Sequence, residues 1–161
     1  MIAVYTGSFD PITLGHLHII RRAATMFDEL VIGVGINAEK RSLFEPRQRV
    51  EMIGRVTEGI ANVRAETFDG LAVDFVRSVD ARVMVRGLRP LADTAGEFTM
   101  MMANHKLAPE IDTVFLMADD AHAHISSSLI KQVAALSADD EHLAAFVPRE
   151  IIAELRAAMT R

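Results

Sequence analysis

The stretch that decides the fold is residues 2–27: IAVY (2–5), then GSFDPITLGH (7–16), then a run with apolar residues at Leu17, Ile20, Ala24 and Phe27. The first segment is a short apolar run ended by a glycine, the pattern of a buried strand. The last has the spacing of an amphipathic helix. Between them lie two glycines, two hydroxyls and a histidine. Gly7 has no Cβ, so a ligand can come close to the backbone there. Gly15 relaxes the chain where the helix starts. Thr13 is placed to cap that helix, its oxygen accepting an N–H of the first turn. The free amides and partial positive charge of a helix N-terminus suit a phosphate. His16 in that turn and Ser8 at the strand end can each donate a hydrogen bond to phosphate oxygens. The same residues also read as an Asp-Pro turn followed by an exposed histidine, and chemistry alone leaves both readings open. No G-x-G-x-x-G and no G-K-[ST] is present here, so this is neither the dinucleotide fingerprint nor a Walker loop.

Working outward, apolar runs at 30–36, 83–85 and 113–117 and the segment 63–67 predict four more strands, with Arg86-Gly87 ending the fourth. Helices are expected at 46–58, opened by Pro46, and at 71–78, 96–107, 127–136 and 148–159. The strand runs are continuous rather than alternating, which predicts a sheet covered on both faces. Strand and helix alternate throughout. The expected fold class is therefore α/β: a Rossmann-like, doubly wound, five-stranded parallel sheet with helices on both faces. The polar stretch SADDEH (137–142) reads as a solvated surface loop. In such folds ligands bind outside the carboxyl ends of the strands. Gly7-Ser8, residues 37–41, residues 86–89 and residues 119–128 all fall there.

The 161 residues fit a single domain, 1–161, and half of them are apolar, which argues against disorder. The chain has no cysteine, which excludes disulfides and thiolate chemistry and suits a reducing, cytoplasmic setting. No apolar run reaches about 18 residues, so no membrane span is expected. Met1 leads into a strand-like segment, which leaves no room for a signal peptide. The net charge of −5 argues against a nucleic-acid partner.

Three further motifs accompany the Thr-x-Gly-His element and its preceding Gly-x-Phe-Asp: Lys40 before Leu43-Phe44, VRGLR at 85–89, and ISSSLIKQVA at 125–134. Together, in this order and spacing, they resemble the phosphopantetheine adenylyltransferases of the nucleotidyltransferase superfamily, over residues 2 to about 158. The resemblance implies transfer of AMP from ATP to 4′-phosphopantetheine, giving dephospho-coenzyme A and pyrophosphate. It implies His16 at the α-phosphate with Ser8 and Phe9 nearby. Lys40 and Arg86 would hold the acceptor phosphate, with Ala72 facing the acceptor. Arg89, Ser127 and Ser128 would take the ATP phosphates. Gly87, Leu88, Glu97 and the loop His122-Ala123-His124-Ile125-Ser126 would lie on the nucleotide side. Mg²⁺ would be bound mainly through ATP phosphates, with no metal site built from side chains. It further implies a homohexamer, for which the Met-rich helix could serve, and feedback binding of coenzyme A. Asn104 could border the pantetheine channel.

The histidines outside this set carry less. His16 and His18 are two apart on a helix and point to different faces, so they cannot chelate one ion together. His122 and His124, flanking Ala123, could form a metal pair. The sequence also departs from the family pattern: Thr6 replaces a usual proline, Ser8 a threonine, residues 94–96 lack the usual aromatic and acidic groups, and Ala72 is small. Two competing readings are a sibling transferase with another acceptor, such as nicotinate mononucleotide, and a nucleotide-binding module without catalysis. The RGLR and ISSS motifs argue against the first, and retention of both His16 and Lys40 against the second.

Overall fold

The computed structural model describes residues 1–36, 41–88 and 94–160. Lys40 and Arg89 therefore lie outside the described residues. The chain runs β1 (Ile2–Gly7), α1 (Leu14–Ala24), β2 (Glu29–Gly35), α2 (Pro46–Val56), β3 (Val63–Phe68), α3 (Ala72–Ser78), β4 (Val83–Leu88), α4 (Thr94–Leu107), β5 (Asp112–Met117), α5 (Ser127–Leu136), α6 (Asp140–Ala144), a 3₁₀ turn (Arg149–Ile151) and α7 (Ile152–Met159). The five strands form one parallel sheet in the order β3-β2-β1-β4-β5.

Side chains alternate across the strands, so each strand feeds both faces. Ala3, Tyr5, Leu30, Ile32, Val34 and Val85 point to one face, where they meet Ile20 and Ala23 of α1, Met52 and Ile53 of α2, Ile130 of α5 and Leu155 of α7. Val4, Val31 and Met84 point to the other, where Val73, Phe75 and Val76 of α3 and the Ala108–Ile111 turn cover them. Two apolar layers thus sandwich the sheet, as the continuous strand runs predict. β3 is different. It is an edge strand with Val63, Ala65 and Phe68 half-buried and Arg64, Glu66 and Thr67 exposed. Gly33 is required by close packing: a Cβ there would lie 2.6 Å from the Phe75 ring, which stacks on Phe68 at 4.7 Å.

The order reverses beside β1. The chain steps from β1 outward to β2 and β3, then returns to β4 on the other side. β1 and β4 are thus neighbours at a topological switch point, where open parallel sheets leave a crevice. Their pairing is short. It spans three partner pairs, Ala3 with Val83 to Tyr5 with Val85, against six in each of the other ladders. Beyond Tyr5 and Val85 the two strands part.

Local chemistry moves several boundaries. α1 begins at Leu14 because Thr13 caps it. β4 continues through Arg86-Gly87 to Leu88, since β5 pairs with it along that length; a glycine does not stop a strand that has a partner on one side. The stretch expected as a surface loop contains α6, capped by Asp139. Its acids are not merely solvated: Glu141 receives two bonds from Arg149, both at 2.7 Å, and Asp140 one from Arg156 at 3.0 Å.

Candidate active site

A cavity of about 330 Å³ opens where β1 and β4 part. Its lining includes Gly7, Ser8 and Phe9 after β1, Thr13, Gly15 and His16 at the start of α1, Arg86 and Gly87 of β4, Glu97 of α4, and His122 with Ile125 to Ser128 before and within α5. Eleven site residues expected from the sequence thus meet in one cleft.

The turn into α1 fixes His16. Thr13 Oγ accepts the His16 amide at 3.1 Å, and the His16 ring Nδ1 accepts the Thr13 amide at 3.1 Å. This reciprocal pair is a capping box with histidine in the place of the usual Glu or Gln. It also sets the tautomer. With Nδ1 accepting, the neutral ring carries its hydrogen on Nε2, which makes that atom the donor. The ring packs edge-on to Phe9 at 4.9 Å, and Phe9 in turn meets Tyr5 edge-on at 5.3 Å. Phe9 has a φ of 47°, a conformation that costs a bulky residue on the order of 1–3 kcal/mol. Burial of its ring, 1% exposed, offsets that cost. Phe9 lines the cleft, as expected of it, and supports His16 as well. Gly7 has a packing reason beside the expected one, since a Cβ there would sit 3.1 Å from the Phe9 ring.

Asp10 is the main residue that sequence reasoning missed. It reads as half of an Asp-Pro turn. In the structure it is buried, and its carboxylate accepts the amides of Leu43 at 2.8 Å and Phe44 at 2.9 Å and the Lys131 ammonium at 2.9 Å. It ties the turn before α1 to the segment entering α2 and to α5. Arg49, also buried, sends Nη1 to the carbonyls of Ser8 at 2.7 Å and Gly35 at 3.4 Å, so a cation lies beneath the ends of β1 and β2.

Arg86 reaches across the opening between β4 and β1. Its Nη1 donates to the Thr6 carbonyl at 2.7 Å and its Nε and Nη2 donate to the two Glu97 oxygens at 2.7 and 2.6 Å. The anionic partner that a strand-end arginine needs is therefore within the chain, and Thr6, a departure from the family pattern, contributes to holding it. Glu97 meets Arg86 as well as the cleft. At the far wall Ser126 caps α5 by accepting the Leu129 amide at 3.1 Å. The first amides of that helix, Ser127 and Ser128, precede its first internal hydrogen bond and face the cleft, so they suit an anion.

Four expected positions fall elsewhere. Leu88 is buried at the end of β4. Ala72 packs against the apolar cluster under α3 and does not line the cavity. Ala123 does not line the cavity, and His124 turns its ring edge-on to Phe146 at 6.1 Å. His122 does line it, and its Nδ1 is hydrogen-bonded to Asp119. That bond first, and the charges of His122 and His18 after it, hold the Asp119 carboxyl below its ordinary range.

Comparison with known proteins gives the family and the fold. A family described as cytidylyltransferase-like matches residues 4–133. A phosphopantetheine adenylyltransferase from Rhodopirellula baltica is 67% identical over 156 residues, covering 97% of this chain and 87% of that protein. One from Leptospira biflexa is 52% identical over 133 residues, covering 83% of each. A crystal structure provisionally assigned as a nicotinate-nucleotide adenylyltransferase from Vibrio parahaemolyticus superposes with a TM-score of 0.68 at 16% identity, over 96% of this chain and 90% of that one. At that identity the match speaks to the fold alone.

Proposed function

The chain belongs to the phosphopantetheine adenylyltransferase family and is an adenylyltransferase; from that premise we propose how its cleft carries out the transfer. ATP lies across the crevice at the β1–β4 switch point, and a phosphate oxygen of 4′-phosphopantetheine attacks the α-phosphorus. The new P–O bond forms as the bond to the β-phosphate oxygen breaks, and pyrophosphate leaves with dephospho-coenzyme A as product. Two anions must meet, so the barrier is largely repulsion and positioning, and no nucleophilic side chain is required.

The observation that carries the reading is the convergence of His16, Arg86 and the α5 N-terminus on one cleft. His16 Nε2 donates to the α-phosphate oxygen where charge grows in the transition state. Its ring is preorganised by Thr13 and Phe9, so little reorientation is needed. Ser127 and Ser128 take the ATP phosphates with their amides, joined by Arg89. Arg86 and Lys40 take the acceptor phosphate: the arginine as a delocalised charge that Glu97 and Thr6 hold at the cleft wall, the lysine as a point charge on a long arm. Glu97 is the sole carboxylate among the described cavity-lining residues, and Arg86 engages both its oxygens. A lining with a single carboxylate fits Mg²⁺ carried on ATP phosphates and water. The ion would supply charge neutralisation at the phosphates.

As one nucleotidyltransferase domain, the protein would work in the cytoplasm. No helix among the described residues is long and apolar enough to cross a membrane. α4 has no buried residue and exposes Phe98, Met100, Met102 and Leu107, which supports its use as an assembly surface of a homohexamer. Feedback binding of coenzyme A at the same cleft is part of this reading.

The test mixes purified protein with Mg²⁺, ATP and 4′-phosphopantetheine and follows pyrophosphate and dephospho-coenzyme A. Parallel reactions replace ATP with CTP, or the acceptor with nicotinate mononucleotide. Both products in equal amounts, in the first mixture only, are expected. Turnover only with another acceptor would overturn the substrate assignment. Binding of ATP without any product would make the chain a non-catalytic module.

A further inference from the structure

His18 and His122 are 104 positions apart in sequence, yet their rings stack at 5.2 Å with an interplanar angle of 26°. Asp119 lies between them. One of its oxygens is hydrogen-bonded to His122 Nδ1 and the other is 3.5 Å from His18 Nδ1. Each residue offers one ligand atom, and the three atoms all lie within 4.8 Å of one another. The group sits at the rim of the cleft, which His122 also lines. The roles given above to His16, Arg86 and α5 make no use of His18 or Asp119.

We propose that His18, Asp119 and His122 bind a divalent late first-row transition ion, Zn²⁺ being the best fit. The donor chemistry selects the class. Two imidazoles and a single carboxylate suit Zn²⁺ and its neighbours, whereas Mg²⁺ requires an oxygen shell. This ion is therefore distinct from the one that travels with the nucleotide. Bonds of about 2.1 Å in a tetrahedral shell put donor atoms roughly 3.3 Å apart. The three donors must draw together by about 1.5 Å at most, a movement that side-chain rotation can supply, since all three are partly exposed and none is wedged in the core. The ion takes the place of the hydrogen shared between His122 and Asp119, and that proton goes to solvent. One carboxylate against a divalent charge leaves the site positive, and three protein ligands leave a coordination position open to water or to an anion in the cleft.

The components come from different elements: His18 from the second turn of α1, Asp119 and His122 from the loop between β5 and α5. Sequence spacing cannot reveal such a set. The pair that spacing suggests, His122 with His124, is not the one the fold makes.

Co²⁺ is the probe, because its visible ligand-field band reports both occupancy and coordination. Titration of the full-length chain is expected to give an intense, saturable band at one ion per chain, suppressed by equimolar Zn²⁺ and unaffected by excess Mg²⁺. Loss of even an outer-shell partner typically weakens a metal site 10–100-fold. His18→Gln and Asp119→Asn are each expected to weaken Co²⁺ at least about tenfold, with unchanged circular dichroism. His142→Gln, at the exposed pair with Asp139, is expected to leave the titration unaltered. Three results would overturn the proposal: no saturable band, a band that survives both His18→Gln and Asp119→Asn, or displacement of Co²⁺ by Mg²⁺. The first would leave the trio as a hydrogen-bonded cluster only. Because the readout is ion binding, it stands apart from whether the cleft transfers an adenylyl group.

Discussion

Replacement of Asp10 by alanine tests how the cleft is held together. The substitution removes three partners at once: the Leu43 amide, the Phe44 amide and the Lys131 ammonium. Their costs differ with burial. The Phe44 bond is buried, and stranding an amide there costs about 2–3 kcal/mol, toward the upper end for bonds to charged groups. The Leu43 bond is only partly buried, so water recovers much of it and about 1 kcal/mol remains. The Lys131 side chain is 35% exposed and rehydrates, which limits its share to about 0.5 kcal/mol. The total is about 4 kcal/mol, or a fall in melting temperature of roughly 8–16 °C for a chain of this size. Urea denaturation with an unchanged slope, together with a thermal melt, measures it. Asp10→Asn keeps one acceptor oxygen and is expected to lose about half as much. Lys131→Ala is expected to cost about 1 kcal/mol or less. A melting temperature within about 3 °C of the parent for Asp10→Ala would refute the reasoning. So would a Lys131→Ala loss as large as that of Asp10→Ala, which would move the weight from the amides to the ion pair.

Three other substitutions probe the site and its frame. His16→Ala is expected to lower kcat by about 10²–10³ with ATP affinity changed little; steady-state kinetics beside equilibrium ATP binding separate the two, and full turnover would remove His16 from the mechanism. Arg86→Lys keeps the charge, but one ammonium cannot span both Glu97 oxygens and the Thr6 carbonyl. Its KM for 4′-phosphopantetheine is expected to rise about tenfold, as for a loss of about 1.4 kcal/mol, and an unchanged KM would deny it the acceptor phosphate. Gly33→Ala drives a methyl into the stacked Phe75 and Phe68 rings and is expected to destabilise by about 1–3 kcal/mol without altering kcat, measured by denaturation and assay of the same preparation.

What the sequence made legible was local. The Thr13 cap, the start of α2 at Pro46 and the Ser126 cap of α5 each depend on residues three or four apart, and each is where the pattern puts it. Four of the β-strands were readable because burial on both faces demands continuous apolar runs; β3, at an edge, has no such run. The strand-end residues Ser8 and Arg86 and the helix-start residues His16 and Ser127 followed from where such a sheet opens. The rest depends on distant partners. Asp10 looks like a turn residue until Leu43, Phe44 and Lys131 come to it. Arg86 plainly needed an anion, but that Glu97 fills this need is a matter of how α4 lies over β4. α6 has a short and strongly polar sequence, and Arg149 and Arg156 from the following turn and helix secure it. His18 gives no signal at all by itself.

The brief ladder between β1 and β4 has a mechanical consequence. With three pairs against six elsewhere, it joins two blocks of sheet, one holding β1, β2 and β3 and the other β4 and β5, along the line beneath the cleft. Gly7, Ser8 and His16 belong to the first block, Arg86 and Gly87 to the second. A substrate lodged between them acts as a staple across the joint. Occupancy should therefore stiffen the whole sheet rather than one loop, and slow amide exchange in β1 and β4 together. Past the short ladder the two walls of the cleft are joined by the bond from Arg86 to the Thr6 carbonyl, so a shift of one wall against the other would break fewer ladder bonds here than at any other seam of the sheet.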